Sequence, residues 1–151
     1  RIDRVARGTY HREGPRMNAI FITLLVREIE GETGGRRVAA LAAPEPDVVV
    51  MKLERAAKTL VLDAGIDAPR IGWEPARLPT RASRFSATAL ALLAGATVAR
   101  IEQPAGDRWV HIHFDNGWRL VWENLGRRAN IVLLDGDTIV ACLRQYAVSP
   151  W

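Results

Sequence analysis

Cysteine and long apolar runs are both scarce in this sequence, and each scarcity excludes a class of protein. Cys142 is the only cysteine among 151 residues, so an intrachain disulfide is impossible. It lies in the apolar run IVACL, which predicts a small buried side chain rather than a reactive thiol. The longest weakly polar stretch, residues 87–99, is interrupted by Thr88, Gly95 and Thr97. A membrane span needs about 20 apolar residues, so we expect no transmembrane helix, no membrane partner and a cytoplasmic protein.

Lysine is also scarce, since arginine outnumbers it 19 to 2, and the net charge of +4 is unevenly distributed. Residues 1–16 contain five arginines against one aspartate and one glutamate, which leaves only +1 for the other 135 residues. We therefore predict a basic N-terminal arm over residues 1–16 and a nearly neutral single domain over residues 17–151. Any anion site on that domain must come from a local cluster of arginines, whose guanidinium groups can bind phosphate in a bidentate manner.

One pattern of residues occurs twice in the chain. Residues 24–63 and residues 90–135 each read as a short helix, a glycine, a Val-Ala strand, a turn with proline, and further strands that end in Leu-Asp. Antiparallel meanders of this kind bury one face against another layer. The predicted fold is therefore α+β, with two antiparallel sheets that form a sandwich and one helix in each half.

Capping residues and glycines mark the two predicted helices. Asn18 is a good N-cap for a helix over about residues 18–30, and the three glycines at 31, 34 and 35 are expected to end it. Ser83 is expected to cap the second helix, and Gly95 to stop it. The apolar stripe of the first helix, expected to face the core, is Ile20, Phe21, Leu24, Leu25 and Ile29.

Eight strands follow from the apolar runs between turn signals. They are predicted at about residues 37–43, 48–53, 59–63, 97–103, 109–114, 118–124, 130–134 and 138–144. The dipeptide Asn116-Gly117 is a strong hairpin signal because it tolerates positive φ. Pro69, Pro75 and Pro79 predict that residues 64–82 form an extended connector, without a regular element, between halves at 17–63 and 83–144.

Two charged turns carry the strongest chemical signals. Asp107 and Arg108 precede a predicted strand, where an adjacent acid and base can hold a ribose or amine together with a phosphate. The alternative is an ordinary turn aspartate beside a solvated arginine.

The second turn contains two adjacent arginines that could bind a phosphate backbone, while its glycine lets the main chain approach. The alternative is a charged hairpin loop. The candidate phosphate-binding residues of this second turn are Gly126, Arg127, Arg128 and Asn130.

The histidines and tryptophans of the second half have simpler interpretations. His111 and His113 face the same side of one strand, as some metal-ligand pairs do. No acidic cluster stands at a matching spacing, so we predict a solvent-facing or half-buried strand face instead. Trp109, Trp118 and Trp122 are expected to pack on the sheet rather than to stack on bases.

No catalytic constellation is recognisable. The sequence has no Ser-His-Asp arrangement with local support, no phosphate-binding glycine loop and no localised pair of carboxylates. We therefore expect a non-enzymatic protein that uses no cofactor and no metal.

A set of short motifs in fixed order resembles a known family. They are Phe85, Gly95, Ile101-Glu102-Gln103, Asp107-Arg108, and a Gly-Arg-Arg-Ala-Asn-Ile-Val-Leu run that starts at Gly126. In this order they resemble the NFACT-N domain, which is the N-terminal module of fibronectin-binding-protein-A-like proteins and of ribosome quality-control factors. The first half fits more loosely, through Arg27-Glu28-Ile29, Gly35 and Arg37-Val38.

The resemblance implies both a fold and a role. The family fold is related to the N-terminal domain of formamidopyrimidine-DNA glycosylases. In the quality-control members, the domain helps to recruit tRNA to a stalled large ribosomal subunit, where a tail is added to the nascent chain without a template. The family's functional Asp-Arg signature corresponds to Asp107 and Arg108. The implied partners are therefore tRNA and the large ribosomal subunit, and the expected RNA-binding residues are Asp107, Arg108, Gly126, Arg127, Arg128 and Asn130.

Three features depart from the family pattern. Leu90-Ala91-Leu92 stand where the helix usually carries a basic Leu-Arg-Lys-His stretch, so a basic patch is missing. Residues 17–21 contain no acid, although the family tends to have an early aspartate there. The coiled-coil arms and RNA-binding core of full-length members are absent from these residues, which suggests a cut-out domain or a shortened homologue.

Two other functions compete with RNA binding. The older family name suggests an interaction protein with fibronectin as its partner. The sequence shows no signal-peptide pattern, which argues against this extracellular role. The fold analogy suggests a glycosylase-like enzyme. Those enzymes begin with Pro followed by Glu, whereas this chain begins Arg1-Ile2-Asp3, so the nucleophile is missing.

Overall fold

The computed structural model describes residues 18–75, 81–104 and 107–145, and the basic arm expected at residues 1–16 lies outside these ranges. Within these described ranges, each half contains one helix and one antiparallel sheet in which every strand pairs with the next along the chain. The first half contains α1 (Ala19–Thr33), β1 (Val38–Ala42), β2 (Val48–Leu53), β3 (Thr59–Asp63) and β4 (Arg70–Glu74). The second contains α2 (Arg84–Leu93), β5 (Val98–Glu102), β6 (Trp109–Phe114), β7 (Trp118–Glu123), β8 (Asn130–Asp135) and β9 (Thr138–Cys142). This architecture confirms the predicted α+β fold.

Strand β4 corrects the expectation of an irregular connector at residues 64–82. It pairs with β3 from Thr59 opposite Glu74 to Asp63 opposite Arg70. A proline interrupts a strand only when it lies inside the strand. Pro69 and Pro75 flank β4 without entering it. The first half is therefore a four-stranded meander, and β4 is the positional counterpart of β8.

Equivalent hydrogen bonds join the two halves. The Gly35 N–H donates to the carbonyl of Val98 at 2.9 Å, and the Gly95 N–H donates to the carbonyl of Val38 at 3.0 Å. Both glycines follow a helix and have positive φ values, 81° and 78°, which only glycine adopts at low cost. Each helix packs mainly on the opposite half, since α1 contacts β5 and α2 contacts β1, and each also contacts one strand of its own half, β4 for α1 and β9 for α2.

The buried face of α1 differs from the expected stripe. Ile20 and Leu24 are 76% and 61% exposed, whereas Ile22 and Val26 are buried together with Ile29. Apolar residues occur on both sides of this helix, so the spacing alone does not decide which side meets β5. The N-caps are as predicted, since the side chains of Asn18 and Ser83 accept from backbone amides of the first turns.

The tryptophans of the second half divide between the two faces of its sheet. Trp122 is fully buried, and its indole N–H donates to the carbonyl of Asp63 in the other sheet at 2.8 Å. Trp118 packs against the same core, while Trp109 lies on the opposite face and stacks on His111. The packing role predicted for these residues is confirmed, and Trp122 also links the two sheets.

Cys142 is less buried than the sequence predicted, although it packs on apolar side chains as expected. Cys142 is half-buried on β9 against the apolar cluster of Val121, Val132 and Leu134. Burial, reinforced by the carboxylate of Glu123, raises the pKa of its thiol, so the reactive thiolate is disfavoured. Among the residues that the structure describes, no helix combines the length and the apolar character that a membrane span requires.

Candidate nucleic-acid interface

The two charged turns lie side by side at one end of the five-stranded sheet. Asp107 and Arg108 lead into β6, and a single 3-10 turn, Gly126–Arg128, connects β7 to β8. Because β6 and β7 are antiparallel neighbours, the start of β6 lies beside the end of β7. The Asn124 N–H donates to the carbonyl of Arg108 at 3.0 Å, which fixes this adjacency two residues before the 3-10 turn. We call Asp107, Arg108, Arg127 and Arg128 the arginine edge.

All four side chains of the arginine edge are exposed. Within the described part of the chain, Arg108, Arg127 and Arg128 form no ion pair. Three guanidinium groups and one carboxylate give this edge a formal charge of +2. An incoming phosphate would therefore meet solvated arginines without having to break an internal ion pair.

Gln103 ties the Asp107 turn to the start of α1. Its Nε2 donates to the carbonyl of Asp107 at 2.7 Å and to the carbonyl of Ala19 at 3.0 Å. Its Oε1 accepts from the hydroxyl of Thr23 at 2.6 Å. The sequence showed Gln103 only as the end of the Ile-Glu-Gln motif, and its role depends on contacts with a helix 80 residues earlier.

Asn130 lies in the interior rather than on the arginine edge. It is 1% exposed, and its Nδ2 donates to the carbonyl of Arg144 at 2.8 Å. Its Oδ1 accepts from the backbone amides of Arg144 and Ile131, each at 2.9 Å. The structure thus gives Asn130 an anchoring role in place of the expected contact with RNA, because its amide already has partners on both atoms.

Arg144 supports the same turn from the other side. Its guanidinium donates to the carbonyl of Ala129, which directly follows the 3-10 turn, and to the carbonyl of Ala64 at 2.6 Å. It also pairs with the carboxylate of Asp47 at 2.9 Å. The turn that presents Arg127 and Arg128 is therefore anchored to both halves of the domain, although nothing in the sequence pattern singles out Arg144.

A cluster of titratable groups lies on the face of the five-stranded sheet that points away from the core. His111 and His113 stack at 6.1 Å between ring centroids, and His113 Nε2 lies 3.1 Å from Glu102 Oε1. Burial, followed by the positive charge of Arg119, lowers the pKa of His111 to about 4. The hydrogen bond with His113 lowers the pKa of Glu102. His113 is half-buried as expected, whereas His111 is buried. Glu102 adds a carboxylate that the sequence did not connect with the two histidines.

The sequence profile of a known family accounts for most of the chain. The family described as "NFACT N-terminal and middle domains" matches residues 18–149. The chain belongs to the NFACT family. A search of curated proteins gave no match.

Solved structures share the fold of this NFACT domain. The N-terminal domain of fibronectin-binding protein PavA from Streptococcus pneumoniae superposes with a TM-score of 0.77 at 24% identity, over 89% of this chain and 56% of that one. The N-terminal part of the fibronectin/fibrinogen-binding protein of Streptococcus suis gives a TM-score of 0.78 at 20% identity, over 87% and 55%. The fibrinogen-binding protein of Staphylococcus aureus gives 0.76 at 19% identity, over 87% and 51%. This chain thus spans about half the length of each, and identities this low establish the shared fold alone.

Proposed function

We propose that this NFACT domain is a non-enzymatic RNA-binding module that acts in the cytoplasm and contributes to tRNA recruitment at stalled large ribosomal subunits. The observation that carries the proposal is the adjacency of the two charged turns through the hydrogen bond from Asn124 to Arg108. The family match supports it, because the matched range, residues 18–149, includes both the Asp-Arg pair and the Gly-Arg-Arg run.

The mechanism is electrostatic and geometric. Arg108, Arg127 and Arg128 contact phosphates, and Asp107 orients Arg108 or accepts a ribose hydroxyl. Neutralisation of about three phosphates releases counterions, so the affinity should fall steeply with salt, with a logarithmic slope of roughly −2 to −3. Gly126 opens the 3-10 turn that presents the two adjacent arginines.

A pair of double variants tests the proposal by fluorescence anisotropy with labelled tRNA across a salt series. Arg127→Ala/Arg128→Ala should weaken binding and reduce the salt slope by about 2. Asp107→Ala/Arg108→Ala leaves the net charge unchanged, so a loss of affinity there reports on the site and not on overall charge.

The matched control removes two positive charges elsewhere. Lys52 on β2 and Arg84 at the start of α2 are both exposed and lie outside the arginine edge. Lys52→Ala/Arg84→Ala should bind tRNA more tightly than Arg127→Ala/Arg128→Ala, although both lose the same charge. If the two double variants lose the same tRNA affinity, binding depends only on the net charge of the protein, and the proposed interface is refuted.

A second candidate function is binding to an extracellular matrix protein. It is favoured by the descriptions of the similar structures, which are fibronectin- and fibrinogen-binding proteins. Surface plasmon resonance on immobilised fibronectin tests it. Binding that is unchanged by Asp107→Ala/Arg108→Ala, in a protein that does not bind tRNA, would favour this candidate over the first.

A further inference from the structure

Three potential metal ligands converge on the outer face of the five-stranded sheet, away from the core. Glu102 lies directly opposite His111 in the antiparallel register of β5 and β6, and His113 follows two residues later on the same face. One ligand atom from each of the three residues lies within 4.8 Å of the other two. We propose that Glu102, His111 and His113 form a binding site for a divalent transition-metal ion of the Zn²⁺ or Co²⁺ type.

The distances require only a small rearrangement. Ligand atoms around a tetrahedral Zn²⁺ with bonds of about 2.0–2.1 Å are separated by roughly 3.3 Å. His113 Nε2 and Glu102 Oε1 are already 3.1 Å apart. The remaining separations must shorten by up to about 1.5 Å. Changes in the side-chain torsion angles of the three ligands would supply this while the strands stay fixed. The sheet itself fixes the positions of the three Cα atoms.

The chemistry of the donors selects the ion. Two imidazole nitrogens and one carboxylate oxygen suit Zn²⁺, Co²⁺, Ni²⁺ or Fe²⁺, and leave a further position for water. Ca²⁺ and Mg²⁺ prefer sets of oxygen ligands, so they should bind poorly. Cys142 cannot supply a thiolate to the cluster, since it lies on β9, three strands away from β6.

The positive charges of two nearby arginines, Arg100 and Arg119, oppose the binding of a cation to this cluster. Arg100 Nη1 lies 3.7 Å from Glu102 Oε2, and the charge of Arg119 acts on His111. The charge of Arg100 repels a cation at this site and competes with it for the Glu102 carboxylate. Removing Arg100 should therefore tighten metal binding, whereas removing a ligand should weaken it.

Metal titration of the 151-residue chain tests the site. Zn²⁺ affinity is measured by competition with a chromogenic chelator, Co²⁺ by its visible d–d absorption, and Trp109 provides a fluorescence signal because it stacks on His111 at 6.4 Å. His113→Gln and Glu102→Gln change partly exposed ligands, so these variants should stay folded. Each should weaken Zn²⁺ binding by at least about tenfold.

Two further variants complete the test. Arg100→Gln should tighten Zn²⁺ binding by about 1.5- to 5-fold, which is the effect of releasing an exposed ion pair. His11→Gln is the control, because it changes the one histidine of the sequence that is not a proposed ligand. This variant should bind Zn²⁺ as tightly as the parent does. Absence of Zn²⁺ and Co²⁺ binding, or equal affinities for the ligand variants and the control, would overturn the inference. The result is independent of RNA binding.

Discussion

The side-chain amide of Gln103 donates to the carbonyl oxygen of Asp107 at 2.7 Å. This bond places the Asp107 turn at a fixed distance from the end of β5. It makes Gln103 a positioning residue for the arginine edge, although Gln103 itself need not touch RNA.

Replacement of Gln103 should loosen that turn. A net loss of about 1 kcal/mol for the anchoring hydrogen bonds predicts that Gln103→Leu weakens tRNA binding roughly fivefold. Amide hydrogen exchange at residues 107–109 should accelerate in the same variant. Thr23→Val removes the hydroxyl that donates to Gln103 Oε1 and to the carbonyl of Ala19. It leaves the bond from Gln103 to Asp107 in place and should have a smaller effect on tRNA binding. Unchanged exchange and affinity in Gln103→Leu would contradict the positioning role.

Two glycines of the first half should respond in opposite directions to alanine. A Cβ at Gly31 or at Gly35 would meet nothing within 4 Å, so only the backbone matters. Gly35 has φ 81°, and Gly35→Ala should lower the free energy of unfolding by about 1–2 kcal/mol. Gly31 lies inside α1, so Gly31→Ala should raise it by about 0.5–1 kcal/mol. Urea denaturation of the two variants measures both changes.

Asn130 should matter for stability and not for RNA contact. Asn130→Ala removes three hydrogen bonds from a buried site, which should cost about 2–3 kcal/mol in the free energy of unfolding. The neighbouring Arg127→Ala, at an exposed position, should cost less than about 0.5 kcal/mol but weaken tRNA binding. A folded Asn130→Ala protein that binds tRNA as weakly as Arg127→Ala would restore Asn130 to the interface.

Acidification should destabilise the metal-free protein through His111. Its pKa is lowered from 6.5 to about 4 by burial, so the unfolded chain binds a proton that the folded protein excludes. The free energy of unfolding contributed by this group is complete above pH 6.5 and is lost as the pH falls toward 4. The slope is at most about 1.4 kcal/mol per pH unit.

Urea denaturation between pH 7 and pH 5, in the presence of a chelator, checks this slope. His111→Gln should show a shallower dependence on pH over the same window. Glu102 contributes outside this window, because its pKa is lowered and its charge is lost only at more acidic pH. Parallel pH profiles for His111→Gln and the parent would show that His111 is accessible to protons when folded.

Local signals predicted the elements well where neighbouring residues alone decide the structure. Asn18 and Ser83 cap the helices because each side chain reaches an amide three residues ahead. Asn116-Gly117 forms the expected hairpin turn, with Gly117 at φ 88°. The proline spacing predicts no strand in residues 64–82, but the five residues between Pro69 and Pro75 contain no proline and suffice for β4.

The candidate site was predictable only in part. Asp107, Arg108, Arg127 and Arg128 were found as exposed turn residues, and the order of the strands brings them together. The motif predicts that Asn130 binds RNA, because Asn130 follows the two arginines. Its hydrogen-bond partner Arg144 comes from beyond β9, so the sequence pattern does not reveal the buried position of Asn130. Glu102 could join His111 only once the register between β5 and β6 was known.

The sequence by itself determined the caps and turns of the duplicated units, because these depend on contacts between residues close together in the chain. It also determined the family, because the order of short motifs is a property of the sequence. The tertiary structure alone decided which face of α1 is buried and how Gln103 and Arg144 hold the charged turns. It also brought Glu102 to the histidines. Those outcomes depend on contacts between segments that are separated in the chain. Some of these contacts form when strands pair within one sheet, as for Glu102 and His111, and others form when the two halves pack against each other, as for α1 and β5.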